Sequence, residues 1–153
     1  MAWESIILGC GEKSHGKNAL HIDIRRTNTT DRIFDLNIRP WPLPDETTRL
    51  VVAEDILEHL DDILFTMEEI HRILKPKGLV KIITPHKDHP NSWHDPTHKW
   101  HLTEKSFDYF DPSTSLGKKY SFYTTKKFSI EKLKLEGGNI YLEMRKLPEV
   151  EWT

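Results

Sequence analysis

A short, largely apolar run at residues 5–8 stops abruptly at Gly9-Cys10-Gly11. A run of this kind bounded by glycine is typical of a buried strand that enters a tight turn. Glycine in such a turn also lets backbone N–H groups approach a ligand that a Cβ would keep away. The run therefore predicts a first strand whose carboxyl end carries either a structural turn or a ligand-binding loop.

Further strand patterns follow, and one strong helix pattern lies among them. Strands are predicted at residues 19–24, 33–36, 50–53 and 79–84. Residues 61–74 place apolar side chains at helical spacing, begin with Asp61-Asp62 and end before Pro76 and Gly78, which predicts a helix. A shorter helix is predicted near residues 103–109. Strands that alternate with helical segments indicate an α/β domain.

The last part of the chain has a different pattern. Residues 128–136 and 139–147 are two alternating runs joined by Gly137-Gly138, which predicts an antiparallel hairpin at the end of a mostly parallel sheet. The connection between residues 24 and 33 is too short for a crossover helix, which needs about a dozen residues. We therefore expect thin cover over one part of the sheet, and a homodimer is one way to cover it.

Composition narrows the class of protein. The chain has 153 residues, with 22 Lys+Arg, 24 Asp+Glu and a net charge of −2, and we expect one domain over residues 1–153. The near-zero charge argues against binding of nucleic acid by bulk electrostatics. The single cysteine, Cys10, forms no internal disulfide and no thiolate zinc site. Without an apolar stretch near the roughly 20 residues of a membrane span, and without a secretory signal, the expected location is the cytoplasm.

Acidic residues follow the second and third predicted strands. Asp23 lies at the end of the second strand, where doubly wound folds use a carboxylate to accept hydrogen bonds from ribose hydroxyls. Asp35 lies at the end of the third strand and is suited to accept a hydrogen bond from an adenine amino group. Together with the glycine turn, these residues predict three strand ends that converge on one edge of the sheet.

With these features, the chain resembles the class I S-adenosylmethionine-dependent methyltransferases, in particular a small Rossmann-like branch. The resemblance spans residues 5–147 and is carried by Leu8-Gly9-Cys10-Gly11, Ile22-Asp23, Phe34-Asp35-Leu36-Asn37, Pro42-Leu43-Pro44-Asp45, Leu57-Glu58-His59-Leu60 and the block from Glu69 to Gly78. It implies a seven-stranded sheet with an antiparallel last strand and S-adenosylmethionine as cofactor. Members of the family commonly have helices before the first strand, whereas this sequence starts almost at that strand, so reduced N-terminal helical cover is expected.

The resemblance also implies which residues hold the cofactor. Gly9 and Gly11 approach its methionine part, Asp23 binds its ribose, and Asp35 borders its adenine together with Leu36. The full implied cofactor site consists of Leu8, Gly9, Cys10, Gly11, Asp23, Ile24, Asp35, Leu36 and Glu54.

Two adjacent acids, Glu54 and Asp55, follow the fourth strand, where the resembled family places residues that face the transferred methyl group. Either carboxylate is suited to take a proton from a hydroxyl or amine acceptor. A structural role is an open alternative, because Asp55 is also suited to cap a short helix through Leu60.

A proline- and histidine-rich loop at residues 85–101 is the other chemically informative segment. Its spacing fits no standard metal site, so no metal is predicted. Asp95-Pro96-Thr97-His98 resembles a motif of the same methyltransferase branch, in which this loop borders the acceptor. His98 is the favoured proton-exchanging group, with His94 and Asp95 beside it. Turn formation by the Asp and Pro residues is the alternative role of this loop.

The sequence thus predicts methyl transfer from S-adenosylmethionine to an unidentified acceptor, either a small molecule or a macromolecule. Two alternatives stay open: a catalytically silent cofactor-binding or interaction module, and a metal-dependent hydrolase centred on the histidine-rich loop. The Asn/Asp-Pro-Pro-aromatic signature of many amino-group methyltransferases is missing, since the corresponding stretch reads Ala53-Glu54-Asp55-Ile56. Adenine and cytosine amino groups are therefore less favoured as substrates.

Overall fold

The computed structural model describes residues 3–151, so positions 1–2 and 152–153 of the predicted domain lie outside the described residues. The strands are β1 Trp3–Leu8, β2 Ala19–Asp23, β3 Arg32–Ile33, β4 Thr48–Glu54, β5 Leu74–Pro85, β6 Phe128–Glu136 and β7 Asn139–Lys146. They form one seven-stranded sheet in the order β3-β2-β1-β4-β5-β7-β6. Strands β1 to β5 are parallel to one another, whereas β7 is antiparallel to both β5 and β6. The predicted α/β fold with a mostly parallel sheet and a terminal hairpin is confirmed.

Few helices accompany this sheet. The α-helices are α1 Ile63–Ile73, α2 Pro90–His94 and α3 Ser115–Lys119, and the 3₁₀ helices are Leu57–His59, Glu104–Phe110 and Ser121–Tyr123. The helix predicted at residues 61–74 corresponds to α1, which begins after Asp62, because the Asp62 carboxylate accepts a hydrogen bond from the Phe65 N–H at 2.9 Å. Within residues 3–151, no helix has the length and apolar character that crossing a membrane requires.

The main hydrophobic core lies on one face of the sheet. Alternate residues of a strand share a face, so Ile6 and Leu8 of β1 point to the same side. The same core contains Val51 and Ala53 of β4, and α1 packs its buried Ile70 against it. Burial of these side chains is the main force that holds α1 on the sheet, because each buried aliphatic side chain contributes about 1.5–3 kcal/mol.

The helix-free segment 34–47 packs Leu36, Trp41 and Leu43 into this main core. The opposite face is covered by loops near β1 and β2, and the segments 9–18 and 24–31 that form them contain no helix. Ile7, Cys10 and Ala19 nevertheless form a small buried cluster there. The loop after β1 folds back over this cluster, with the His15 N–H donating to Nε2 of His21 at 2.9 Å. The thin helical cover predicted from the short connection at residues 24–33 is therefore confirmed.

The third strand is shorter than predicted. It consists of Arg32–Ile33 alone, whereas the sequence predicted a strand at residues 33–36. The Asp35 carboxylate accepts a hydrogen bond from the Asn37 N–H at 2.9 Å, which is the geometry of a turn that an aspartate side chain stabilises. Residues 34–36 therefore leave the sheet earlier than the apolar pattern indicated.

The fifth strand begins earlier than predicted. Leu74 follows α1 directly and pairs with Thr48, and the pairing then jumps to Leu79 with Leu50. The intervening residues form an irregular bulge in which Lys77 has a φ of 65°. The Pro and Gly of this segment end the helix as predicted, yet the chain re-enters the sheet without a separate loop.

Candidate active site

A cavity of about 1020 Å³ opens at the carboxyl ends of β1, β2 and β4. These strands end at one edge because the register pairs Leu8 with Ile22 on one side and with Ala53 on the other. This edge is the usual position of ligands in open α/β sheets. The predicted site residues among its lining are Leu8, Gly9, Cys10, Gly11, Asp23, Ile24, Glu54 and Asp55.

The turn after β1 needs its two glycines for different reasons. Gly9 has a φ of +65°, and a Cβ at this position would lie 2.7 Å from Cδ1 of Ile56. Gly11 has a φ of +57°, but a Cβ there would meet nothing within 4 Å. Both conformations favour glycine. Close approach of the turn to Ile56 adds a steric requirement at Gly9 alone.

Asp23 at the end of β2 is held from two sides. Its Oδ2 accepts a hydrogen bond from the Gly11 N–H at 2.9 Å, and its Oδ1 accepts one from the Arg25 N–H at 2.9 Å. The residue is only 7% exposed, yet it lines the cavity. A carboxylate has about four acceptor positions, so two remain for a ligand. The glycine turn thus orients the carboxylate that was predicted to bind a ribose.

Asp35 and Leu36 are not among the residues that line this cavity. Leu36 lies in the core, where its carbonyl accepts a hydrogen bond from Nε1 of Trp41 at 2.9 Å. The early end of β3 accounts for this position, because the chain turns away from the strand edge before it reaches Asp35.

The two acids after β4 lie together on the cavity wall. Glu54 accepts hydrogen bonds from Nζ of Lys13 at 3.0 and 2.8 Å, so the loop after β1 reaches across to β4. Asp55 has a φ of 54°, and its N–H donates to the Ile83 carbonyl at 2.8 Å. Burial, with a further contribution from the negative charge of Glu54, raises the pKa of Asp55. A proton acceptor benefits from a pKa raised in this direction.

The interpretation of Asp55 as a helix cap is wrong. The 3₁₀ helix Leu57–His59 begins after Ile56, and no side chain caps it. The side chain of Asp55 therefore makes no capping hydrogen bond to this helix, and helix capping does not explain its position on the cavity wall.

The other wall comes from the histidine-rich segment. The Lys99 N–H donates to the Glu58 carbonyl at 2.7 Å, and Nε1 of Trp100 donates to the Leu60 carbonyl at 2.7 Å. Lys99 also forms an ion pair with Asp61. Residues 96, 97 and 99 of this segment line the cavity beside His59. Of the stretch Asp95-Pro96-Thr97-His98 that was predicted to border the acceptor, Pro96 and Thr97 line the cavity and Asp95 and His98 do not.

His98 itself lies behind that wall. It is not among the lining residues, and its side chain is only 3% exposed. Its ring lies edge-on to the ring of His59, with centroids 4.6 Å apart, and its Nε2 lies 3.9 Å from Oε2 of Glu58. His94, in contrast, is exposed at the end of α2.

Glu58 is the most deeply buried acid at this site, at 2% exposure. Its Oε1 accepts a hydrogen bond from Oγ1 of Thr84 at 3.1 Å. Burial raises the pKa of Glu58 to about 7. Glu58 and His59 belong to a motif of the resembled family, but the sequence alone did not bring them next to His98. Lys13 was also missed, because nothing in its local sequence indicates the contact with Glu54.

A family model described as a methyltransferase domain matches residues 8–125 of this chain. No curated protein matches the chain in a sequence search. Solved structures that are 12–15% identical to this chain share its fold.

Among solved structures, an S-adenosylmethionine-dependent methyltransferase from Mesorhizobium loti is similar, with 15% identity and a TM-score of 0.66 over 94% of this chain and 91% of that one. A putative methyltransferase solved in complex with the Haloferax volcanii Trm112 methyltransferase activator has 12% identity and a TM-score of 0.65 over 94% and 83%. The trans-methyltransferase CalH, solved with SAH, has 13% identity and a TM-score of 0.65 over 95% and 52%.

Proposed function

This chain belongs to the methyltransferase domain family, and we propose that it transfers a methyl group from S-adenosylmethionine, held at the carboxyl ends of β1, β2 and β4, to an acceptor near His59 and Thr97. One observation carries the proposal. The glycine turn and Asp23 meet at one edge of the sheet, and the N–H of Gly11 orients the Asp23 carboxylate at 2.9 Å. The same cavity extends to the acidic residues after β4 and to the histidine-rich segment.

The residues of the cavity fit this cofactor. Asp23 keeps two acceptor positions, which suits the two hydroxyls of a ribose. The cavity wall next to Asp23 is formed by Leu8, Cys10 and Ile24, and Gly9 and Gly11 keep the turn free of side chains. When bound, S-adenosylmethionine supplies a methyl group on a positively charged sulfur that is already activated toward a nucleophile. Asp35 and Leu36 remain predicted neighbours of the adenine from the family resemblance.

Glu54 and Asp55 have complementary roles in this proposal. Their carboxylates favour a positively charged group in the cavity, and Lys13 holds Glu54 in place with two hydrogen bonds. Asp55 is free of such a partner among the described residues and is the proposed proton acceptor for an acceptor hydroxyl or amine. The protein mainly orients the acceptor and excludes water, because the methyl group needs no further activation. His98, behind the wall, acts through His59 and Glu58 rather than by direct contact.

Calorimetric titration with S-adenosylmethionine tests the donor half of the proposal. We expect binding by the wild-type chain and a loss of about 100-fold or more in affinity in Asp23→Asn, since hydrogen bonds to a charged group contribute about 1.5–3 kcal/mol each. Asp88→Asn is the matched control, because Asp88 is exposed on the loop after β5. Absence of binding by the wild-type chain would refute the proposal, whereas binding without turnover on any acceptor would identify a silent cofactor-binding module.

A homodimer and a cytoplasmic location complete the proposal. The sheet face opposite the main core carries only loops at β1 and β2, which supports the dimer, because a second copy would add cover there. The sequence supports the cytoplasmic location, because one cysteine provides none of the disulfide framework that is typical of small secreted domains. Sedimentation velocity at micromolar concentration and cell fractionation test the two statements, and a monomer or a secreted protein would contradict them.

A further inference from the structure

Two histidines and a glutamate from distant segments meet behind the wall of the cavity. One ligand atom each from Glu58, His59 and His98 lies within 4.8 Å of the other two, and no other such cluster of three metal-ligating side chains occurs in the described part of the chain, 3–151. The first two residues belong to the 3₁₀ helix after β4, and His98 comes from the histidine-rich segment. Spacing along the sequence therefore gave no indication of this cluster.

Hydrogen bonds outside the cluster fix how His59 presents its ring. Oγ1 of Thr97 donates to Oδ1 of Asp95 at 2.6 Å, and a hydroxyl has only one hydrogen to donate. The contact of 2.9 Å between Nδ1 of His59 and Oγ1 of Thr97 must then be donated by His59. Its Nδ1 carries the hydrogen, so its Nε2 carries a lone pair.

His98 is oriented in the same way. Its Nδ1 lies 3.3 Å from the Ser92 carbonyl oxygen, which only accepts hydrogen bonds. Nδ1 of His98 is therefore the donor, which leaves Nε2, on the side of Glu58, as the nitrogen that a neutral imidazole offers to a metal. Histidines that bind metals usually donate their other ring N–H to a carbonyl or to another acceptor in this manner.

With neutral imidazoles and an ionised Glu58, each of the three side chains has a lone pair available to a cation. Nε2 of His98 lies 3.9 Å from Oε2 of Glu58 and 3.5 Å from Oδ2 of Asp95, and no hydrogen-bond donor lies between these atoms among the described residues. Glu58 is 2% exposed and forms no ion pair with a lysine or arginine among residues 3–151. Burial makes the ionised form of Glu58 costly, and a cation held between Glu58, His59 and His98 would lower that cost.

We propose that Glu58, His59 and His98 bind a divalent transition-metal ion, and that Zn²⁺ is the ion this ligand set fits best. Two imidazole nitrogens and one carboxylate are the protein ligands of many zinc sites with an open position. At Zn–N distances of about 2.0–2.1 Å, tetrahedral ligands lie about 3.3 Å apart, so the three side chains are within about 1.5 Å of that arrangement. Borderline-soft imidazole ligands disfavour Mg²⁺ and Ca²⁺.

The position of this site suggests its use. His59 also lines the cavity, so the metal would lie at the acceptor side, next to Asp55. This role rests on the proposed function: the open metal position favours an acceptor that has an oxygen donor, such as a hydroxyl, because a bound metal lowers the pKa of such a group. Metal binding by the three residues does not depend on that role.

Equilibrium dialysis of the chelator-treated full chain against Zn²⁺, followed by elemental analysis, tests the site. We expect one zinc per wild-type chain, and at least tenfold weaker binding in Glu58→Gln, which keeps the side-chain shape but removes its charge. His59→Ala and His98→Ala should weaken binding similarly. Thr97→Val, which removes the partner of Nδ1 of His59, should cost about tenfold, as outer hydrogen-bond partners of metal ligands do. His94→Ala is the matched control and should bind zinc like the wild type.

A second measurement keeps the proposal testable if a variant unfolds. Co²⁺ in the same site gives visible absorption bands that report its ligands without any enzyme assay. Melting curves identify unfolded variants, and if His98→Ala is one, Glu58→Gln and His59→Ala give the answer.

A wild-type chain that binds no zinc at micromolar free Zn²⁺ would overturn the proposal, and so would Glu58→Gln and His59→Ala variants that bind it as tightly as the wild type. Titration with S-adenosylmethionine in the absence of metal separates this outcome from failure of the proposed function.

Discussion

The donor side and the acceptor side of the cavity are built differently. On the donor side, the turn after β1 and Asp23 are joined by a hydrogen bond from a backbone N–H between strands that are direct neighbours in the sheet. On the acceptor side, the 3₁₀ helix Leu57–His59 and the segment around Trp100 lie about 40 residues apart in sequence and are joined largely through side chains. Backbone geometry fixes the first side, whereas packing of two separate segments fixes the second.

This difference determines how each side responds to change. A fixed strand register and a positive φ leave the backbone few alternative conformations. A substitution on the donor side should therefore lower both the free energy of unfolding and the affinity for the cofactor. Side chains on the acceptor side can be altered one at a time while the sheet stays intact. We therefore expect acceptor-side variants to lose turnover before they lose affinity for S-adenosylmethionine.

The largest expected effect on stability is at Gly9. Gly9→Ala places a Cβ 2.7 Å from Ile56 in a backbone conformation with a φ of +65°, and we expect a loss of about 3 kcal/mol in the free energy of unfolding. Gly11→Ala is the matched variant, because it has a similar φ but open space around its Cβ, and it should lose about 1 kcal/mol. Urea denaturation measures both. Equal losses would show that close packing against Ile56 does not distinguish the two glycines.

A change at Asp55 should separate the two sides of the cavity. Asp55→Asn removes the proposed proton acceptor and should lower kcat about 100-fold, with less than about threefold change in the dissociation constant of S-adenosylmethionine. Because burial raises the pKa of Asp55, the wild-type rate should fall toward acid pH at a higher pH than for an ordinary aspartate. The variant should lack that acid limb. A pH profile of kcat/KM measures it, and an unchanged profile in the variant would exclude Asp55 as the base.

Trp100 tests how the acceptor segment is held. Trp100→Phe removes the donor to the Leu60 carbonyl and should lower the free energy of unfolding by about 1 kcal/mol. We expect a higher KM for the acceptor and an unchanged affinity for S-adenosylmethionine. Thermal melting and steady-state kinetics measure these effects. A loss of cofactor affinity equal to the loss in acceptor binding would show that the two sides are not separate.

The smallest effect is expected at the ion pair between the loop after β1 and the end of β4. Lys13→Ala removes an ion pair with Glu54 in which the lysine is 63% exposed, so stability should change by less than about 0.5 kcal/mol. The affinity for S-adenosylmethionine should change by less than about threefold. Glu54→Gln is the comparison variant, since it removes the same ion pair by changing Glu54, the partner on the cavity wall. A tenfold effect in Lys13→Ala would mean that this lysine contacts the cofactor.

The same contrast explains what the sequence could predict. The glycine turn, the aspartate after β2 and the hairpin are local signals, because strand ends and turns depend on residues that are close in sequence. The position of Asp35 could not be predicted in this way, since its turn with Asn37 competes with continuation of β3. The cluster of Glu58 with His98 depends on a fold-back of the loop after β5, for which no periodic pattern exists.

The bulge after α1 shows a second limit. Pro76 and Gly78 correctly predicted the end of the helix, but Leu74, which precedes them, already pairs with β4, and pairing resumes only at Leu79 after the bulge that contains them. Helix-stop residues say where regular hydrogen bonding ends, and they do not say which strand the chain joins next.

A crystal of the full chain soaked in S-adenosylhomocysteine would show whether the ends of β1 and β2 hold the cofactor. We expect density for the nucleoside at the ends of β1 and β2, with both ribose hydroxyls within about 3.2 Å of the Asp23 carboxylate and the sulfur on the side of Glu54 and Asp55. A nucleoside bound elsewhere, with Asp23 contacting only the N–H groups of Gly11 and Arg25, would contradict it.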